Sequence, residues 1–206
     1  MEKTLEVKPT KALFDLDIGV SRLWFPPESL APDGHYVMAG GICWPILCKD
    51  VFIGAALLAG RFLDGTIYVF EQREFSSVDP VYTNKHELIS EGLAPWFTHN
   101  WATYYALRYY WFQHDAYAHT FRRQVRHNDM IEPKPRLIET HWSDDAHADL
   151  VISDVLEQRK LKFRRGSPVY DQLEQKQADP DSGPFPAIHA LACLLTGLAR
   201  KRTPEV

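Results

Sequence analysis

Along the chain, apolar positions gather first into runs of strand length. HYVMAGGICW, 35–44, reads as one strand, and VFIGAALLAGRF, 51–62, as a second. The near-continuous apolar character of the second predicts burial on both faces. Asp64-Gly65 separates it from TIYVFEQREF, and a D-G pair between two such runs is a strong hairpin signal. Residues 1–34 read as an irregular lead-in with one short helix or strand (KALFDLDIGVSRLW), then Pro26, Pro27, Pro32 and Asp33-Gly34. The remaining residues, 35–206, are read as one domain.

Beyond the third strand the period changes. Thr83 and Asn84, with Glu87 placed as in a capping box, predict a helix through HELISEGLAPWF as far as Pro95. TYYALRYYWFQHD, rich in Tyr, Trp and Phe, predicts a buried strand ending near Gln113–Asp115. AYAHTFRRQVRHN follows as a helix with a basic face. Pro133 and Pro135 bound a strand in PRLIETHW, DDAHADLVISDVLEQ has helical spacing, and KLKF is a short strand. A helix over SPVYDQLEQKQA leads through DPDSGP to AIHALACLLTGLARKR, where Ile188, Leu191, Leu195 and Leu198 form one stripe. Three antiparallel strands, then alternating helices and strands, make an α/β fold with a mixed central sheet flanked by helices.

Composition narrows this picture modestly. With 206 residues the chain can bury a sizeable core as one domain, and 45% apolar with 24% charged residues is ordinary for a globular protein. The net charge of −4 argues against a globally basic nucleic-acid binder while leaving room for local basic patches. Three cysteines without C-x-x-C spacing fit neither a disulfide scaffold nor a thiolate zinc site and favour a reducing compartment. The polar start MEKTLEVKPTK lacks signal-peptide character, and no apolar run approaches the roughly 20 residues that span a bilayer. No G-x-x-x-x-G-K-[ST] loop or internal repeat occurs. These features point to a cytoplasmic protein with no membrane partner.

The order and lengths of the elements resemble the RNase H-like nuclease domain of the large terminase subunits of tailed phages, over roughly residues 12–200. ALFDLDIGVSRLWFPPESLAPDGHYVMAGG resembles the linker entering that domain. MAGGICWP occupies its first-strand motif of glycine, an apolar residue and an acid. GAALLAGRFLDGTIYVFEQREF resembles its second and third strands, and DLVISDVLEQRKLKFRRGSPVYDQLEQ its late helix–strand–helix segment. FPAIHALACLL falls where the family carries paired acids, then another acid, then Ala-Leu. The resemblance implies two-metal phosphodiester hydrolysis, in which clustered carboxylates hold Mg²⁺ or Mn²⁺ ions about 4 Å apart. It also implies DNA, other packaging proteins and a separate ATPase chain as partners, and the host cytoplasm as location if the chain is phage-encoded.

The departures fall on the acids. The first is Cys43, a soft ligand poorly suited to Mg²⁺, and the last are Phe185, Pro186 and His189. Asp115, at the end of the aromatic strand, is the surviving carboxylate. An active enzyme would use Asp115 and His189 as catalytic groups, with Asp115 and His114 as metal ligands. A catalytically degenerate domain would need no metal.

Other candidates carry a plainer reading beside the chemical one. Cys43 could be a nucleophile with His114 or His189 as base, but no oxyanion-type motif accompanies it, and a buried thiol often packs as a small hydrophobe. HDAYAH and HWSDDAHAD hold four histidines with Asp144, Asp145 and Asp149, in no established metal spacing; acids opening a helix favour its dipole in any case. Arg122, Arg123 and Arg126 in FRRQVRHN, and Lys160, Lys162 and Arg164 alternating along RKLKFRR, are either phosphate contacts or solvated faces. The rings from Trp96 to Phe112 are core or a protein-interaction surface rather than a base-stacking platform.

Overall fold

A computed structural model describes residues 16–21, 36–48, 50–62, 64–79, 81–82, 84–86, 88–90, 92–97, 109–113, 115–129, 131, 134–140 and 145–200. The expected meander is present as β2 (Tyr36–Cys48), β3 (Val51–Phe62) and β4 (Ile67–Phe75), each antiparallel to the next. Gly54 to Gly60 of β3 are all buried, as their unbroken apolar character requires. At the β3–β4 turn Gly65 takes φ 83°, and the Asp64 carboxylate accepts from Thr66 N and from Thr66 Oγ1, both at 2.8 Å. These two donors hold the Asp64 pKa below its ordinary value.

Further strands join in parallel. They are β7 (Tyr109–Gln113), β8 (Arg136–Thr140), β9 (Leu161–Arg164) and the two-residue β1 (Val20–Ser21), which follows α1 (Leu16–Gly19) in the lead-in. The seven strands run in the order β1-β9-β4-β3-β2-β7-β8. The central five are β4-β3-β2-β7-β8, with β3 the antiparallel member. The rest of the lead-in, 1–15 and 22–35, lies outside the described residues.

Helices α3 (Ala116–His127), α4 (Asp145–Glu157), α5 (Pro168–Ala178) and α6 (Pro186–Arg200) flank the sheet. Phe121 and Val125 of α3 pack with Ile42, Trp44, Tyr110 and Phe112 on one face. Helices α4, α5 and α6 pack on the other, with Ala39, Cys43 and Trp111. Both hydrophobic faces of the sheet are thereby covered, and a core forms on each side.

The glycine pair of β2 serves these two faces separately. A Cβ on Gly40 would stand 2.2 Å from the Tyr110 ring, on the α3 side. One on Gly41 would stand 2.1 Å from the Ala190 carbonyl oxygen of α6. A Cβ on Gly197 would likewise meet Trp111 at 2.1 Å, so α6 lies directly on the sheet at both of its ends.

Two expectations change. In place of the predicted helix over HELISEGLAPWF stand β5 (Val81–Tyr82), β6 (Leu88–Ser90) and the one-turn helix α2 (Leu93–Trp96). His86 (φ 65°) and Gly92 (φ 71°) take left-handed conformations that interrupt a right-handed helix. Leu93 N and Ala94 N donate to the carbonyls of Ser77 and Val78, both at 2.9 Å, contacts that the local capping signal cannot foresee. Thr83 and Glu87 lie outside the described residues. Second, α6 is more than amphipathic. From Ala187 to Leu198 every residue except His189 is buried, because α6 is enclosed by the sheet and by α4 and α5.

Candidate functional site

In an open sheet whose strands change direction of succession, the place for a ligand is the crevice at the carboxyl ends of the strands. Here that place lies between β2 and β7, which connect onward to opposite sides. The parallel β2–β7 ladder ends at Ile42–Phe112, and past it the two strands part. Helix α6 runs antiparallel to β2: Ala190 lies over Gly41, and Leu198 receives a 2.7 Å hydrogen bond from Arg61 Nη1, opposite Val37 at the start of β2. Its first turn therefore reaches the same edge as Cys43 and Gln113. The fold brings β2, β7 and α6 together where the sequence reading expected a site.

Packed side chains occupy that edge. On the α3 side Trp44 is 5% exposed; its Nε1 donates to the Gln113 carbonyl at 3.0 Å, and its ring meets Phe112 and Phe121 edge-on at 5.3 and 5.6 Å. On the α6 side Cys193 lies where the strands part, donating to the Ile42 carbonyl at 3.5 Å. Around its sulfur stand the Thr140 hydroxyl, the Gln113 backbone and Cys43, and burial pushes the Cys193 thiol pKa far up. Cys43 is 7% exposed, and its thiol donates to the Trp44 carbonyl at 3.4 Å. Both thiols are thus buried, hydrogen-bonded core groups, and burial keeps the Cys193 thiol protonated and inert as a nucleophile.

The remaining candidates are dispersed. Asp115 follows β7 and serves as N-cap of α3, its exposed carboxylate accepting from Tyr117 N at 3.0 Å. His189 lies half-buried in the first turn of α6. His114, His141 and Asp144 lie outside the described residues. His119 on α3 and His147 on α4 lie on opposite faces of the sheet, and Asp149 pairs with Lys176 at 2.6 Å, so these two runs do not build one site. Among the described residues no group of three or more His, Cys, Asp or Glu side chains is placed to hold a metal ion. Two buried thiols and a carboxylate engaged as a helix cap do not fit a two-Mg²⁺ centre, which needs converging oxygen ligands.

The basic residues divide as well. Arg122 is engaged structurally: its Nη1 meets Glu139 Oε1 at 2.6 Å, and its guanidinium stands 5.2 Å from the centre of the Phe112 ring. Arg123 and Arg126 are exposed on α3. On β9, Leu161 and Phe163 face the core while Lys162 and Arg164 face outward, the alternation expected from RKLKFRR. Lys160 Nζ donates to the Asp64 carbonyl. Since β9 and β8 are five strand spacings apart, about 24 Å, the two runs do not form one patch.

Cys193 and Trp44 define this edge, and neither was a site residue in the sequence reading beyond its neighbour Cys43. The available signal was spacing: Cys193 follows His189 by four residues, on the same face of α6.

Sheet order and helix placement give the mixed central sheet flanked by helices that the sequence leads one to expect. Among solved structures, the nuclease domain of the P22 large terminase is similar over 92% of this chain and 97% of that one, with 8% identity and a TM-score of 0.48. No family model matches the chain, and no curated protein matches it. Among the described residues no helix is long and apolar enough to cross a membrane.

Proposed function

We propose that this chain is a terminase-nuclease-like domain whose catalytic edge has become packed core, and that it acts as a nucleic-acid-binding or assembly component of phage DNA packaging. The carrying observation is the filled crevice: Trp44 and two buried thiols occupy the space that metal-binding carboxylates and a phosphodiester would need. On this reading the domain needs no metal cofactor and works in the host cytoplasm. DNA is held through the exposed Arg123 and Arg126 rather than through Arg122, which is committed to Glu139. Lys162 and Arg164 provide a second, separate contact. Packaging proteins or a separate ATPase chain are the further partners this reading names.

The rival reading is an active endonuclease in which Asp115, His114 and His189 hold Mg²⁺ or Mn²⁺. Incubation of the purified chain with plasmid DNA and each metal separates the two. The expected result is intact plasmid; cleavage abolished by Asp115→Ala would refute the degenerate reading. Asp115→Ala should otherwise show only the loss of a helix cap, about 1 kcal/mol. In parallel, fluorescence anisotropy with duplex DNA should show affinity falling with salt, by about 0.9 in log–log slope for each phosphate contact. Arg123→Ala with Arg126→Ala should reduce that slope by about 2. Salt-independent or absent binding would leave protein assembly as the surviving role. The described rings of the aromatic segment do not favour an interface there, since Phe97, Tyr110, Trp111 and Phe112 are core.

A further inference from the structure

Beyond the ends of its neighbours the β2–β3 hairpin continues as a free arm. The β2–β7 ladder stops at Ile42 and the β3–β4 ladder at Gly54, while β2 and β3 stay paired to Cys48 and Val51. A register shift at Trp44-Pro45 places one extra residue in β2 at the root of this arm, a bulge that redirects it. Its tip is apolar and exposed: Leu47 59%, Val51 54% and Phe52 51%. Clusters of large exposed apolar side chains mark interaction sites more often than idle surface.

Where the arm meets α5 and the start of α6 there is a groove of about 520 Å³. Val51, Ile53, Pro168 and Pro186 make its walls apolar, and Glu74 and Asp171 supply two carboxylates. No lysine or arginine lines it among the described residues. Gln172 ties the groove together, its Nε2 donating to Glu74 Oε1 at 3.0 Å and its Oε1 accepting from Ala187 N at 2.8 Å. The Glu74 carboxylate is therefore held in place before any ligand arrives. The Asp171 carboxylate, in the first turn of α5, makes no hydrogen bond or ion pair with the described residues.

We propose that this groove and the adjoining arm dock a segment of a partner protein that carries a lysine or arginine flanked by aliphatic side chains. Charge decides the occupant. Two carboxylates with no lysine or arginine among the described lining residues repel a phosphate backbone, and a purely apolar segment would strip them of water without replacing it. A guanidinium or ammonium on an aliphatic stem satisfies both: the stem lies on Val51, Ile53 and the prolines while the head reaches the carboxylates. Flanking aliphatic side chains extend the contact onto the exposed tip. Because α3 carries its arginines on the opposite face of the sheet, nucleic acid and this partner can bind together.

Selection of a random peptide library on the immobilised full chain tests this. Enriched peptides should carry Lys or Arg beside aliphatic residues, and a synthetic representative should shift the amide resonances of Ile53, Gln172 and Gly183. The Glu74→Gln/Asp171→Asn variant should weaken that peptide about tenfold or more, the loss of charge-assisted contacts. Val51→Lys, at an exposed position, should do the same by placing a competing cation in the groove. Several results would overturn the proposal: no enrichment, enriched peptides lacking a cation, resonance shifts elsewhere only, or unchanged affinity in either variant. Self-association of the chain that disappears in both variants would assign the groove to a second copy instead. Anisotropy with duplex DNA on the same variants keeps the readings apart, since loss of peptide binding with intact DNA binding concerns the groove alone.

Discussion

Replacing Gly41 by alanine is the sharpest test of how the sheet and its central helix are joined. Where a glycine has ordinary backbone angles and free space, alanine stabilises by about 0.4–1 kcal/mol, because the unfolded chain loses freedom. At Gly41 the new methyl would lie 2.1 Å from the Ala190 carbonyl oxygen and 2.9 Å from Leu194 Cβ. The first distance is about 1.3 Å short of ordinary contact at 3.4 Å. Strand β2 cannot retreat, since Gly41 is paired with Leu57 on one side and Trp111 on the other. Helix α6 must move, although Gly197 is seated on Trp111 and the Leu198 carbonyl is bound by Arg61. Overpacking against a backbone atom held at both ends belongs at the upper end of the usual range, about 3 kcal/mol. For a domain of this size that lowers Tm by about 6–12 °C. Gly166→Ala is the control: nothing lies within 4 Å of its Cβ, but its φ of 70° costs an alanine about 1 kcal/mol. Thermal unfolding and urea titration of both variants give the comparison. If Gly41→Ala loses no more stability than Gly166→Ala, α6 is not seated on the sheet as described.

This packing also shows where local reading of the sequence succeeds. The meander from β2 to β4 was legible because each strand carries its own apolar pattern, and Asp64-Gly65 supplies a turn that needs no distant partner. Helices α3 and α5 were legible from local helical spacing, whereas their caps Asp115 and Ser167 were seen only in the structure. The segment at 84–97 was not. Its helix signal is local, whereas the Leu93 and Ala94 amides are fixed by carbonyls at Ser77 and Val78. The candidate site was half legible. Cys43 at the strand end and His189 at the start of α6 do reach one edge, as element order implies. What fills the edge depends on contacts spanning most of the chain: Trp44 to Gln113, and Cys193 to Ile42. The separation of the two basic runs depends on strand order, which no local pattern encodes.

Three further outcomes follow from buried or turn-bound charges. Lys176 and Asp149 form an ion pair with side chains only 5% and 19% exposed, and Lys176 Nζ also lies 5.6 Å from the centre of the Phe185 ring. Lys176→Ala should cost about 3–5 kcal/mol by stranding Asp149, whereas Lys176→Met with Asp149→Leu should be near neutral, as urea titration would show. Asp64→Ala should destabilise by about 1 kcal/mol at pH 7, from the lost Thr66 hydrogen bonds. Because the folded Asp64 pKa is depressed, that contribution is present above its unfolded value and disappears as pH falls through the folded one. Wild type and variant should therefore converge in acid thermal melts. The last outcome concerns Cys43→Asp, which restores the carboxylate expected at the first strand. At 7% exposure and beside the neutral Cys193 thiol, that carboxyl should have its pKa raised by about 3–5 units, a penalty of about 4–7 kcal/mol. A raised carboxyl pKa leaves the variant least penalised below the unfolded value near 4 and progressively destabilised as pH rises toward the folded one. Melts from acid to neutral pH, with and without millimolar Mg²⁺ or Mn²⁺, read this directly. If the edge is packed core, neither metal restores the lost stability, because one carboxylate beside the Cys193 thiol and a tryptophan supplies too few oxygen ligands. Metal-dependent recovery at neutral pH would mean that the neighbouring groups still form a cation site, and the degenerate reading would fall.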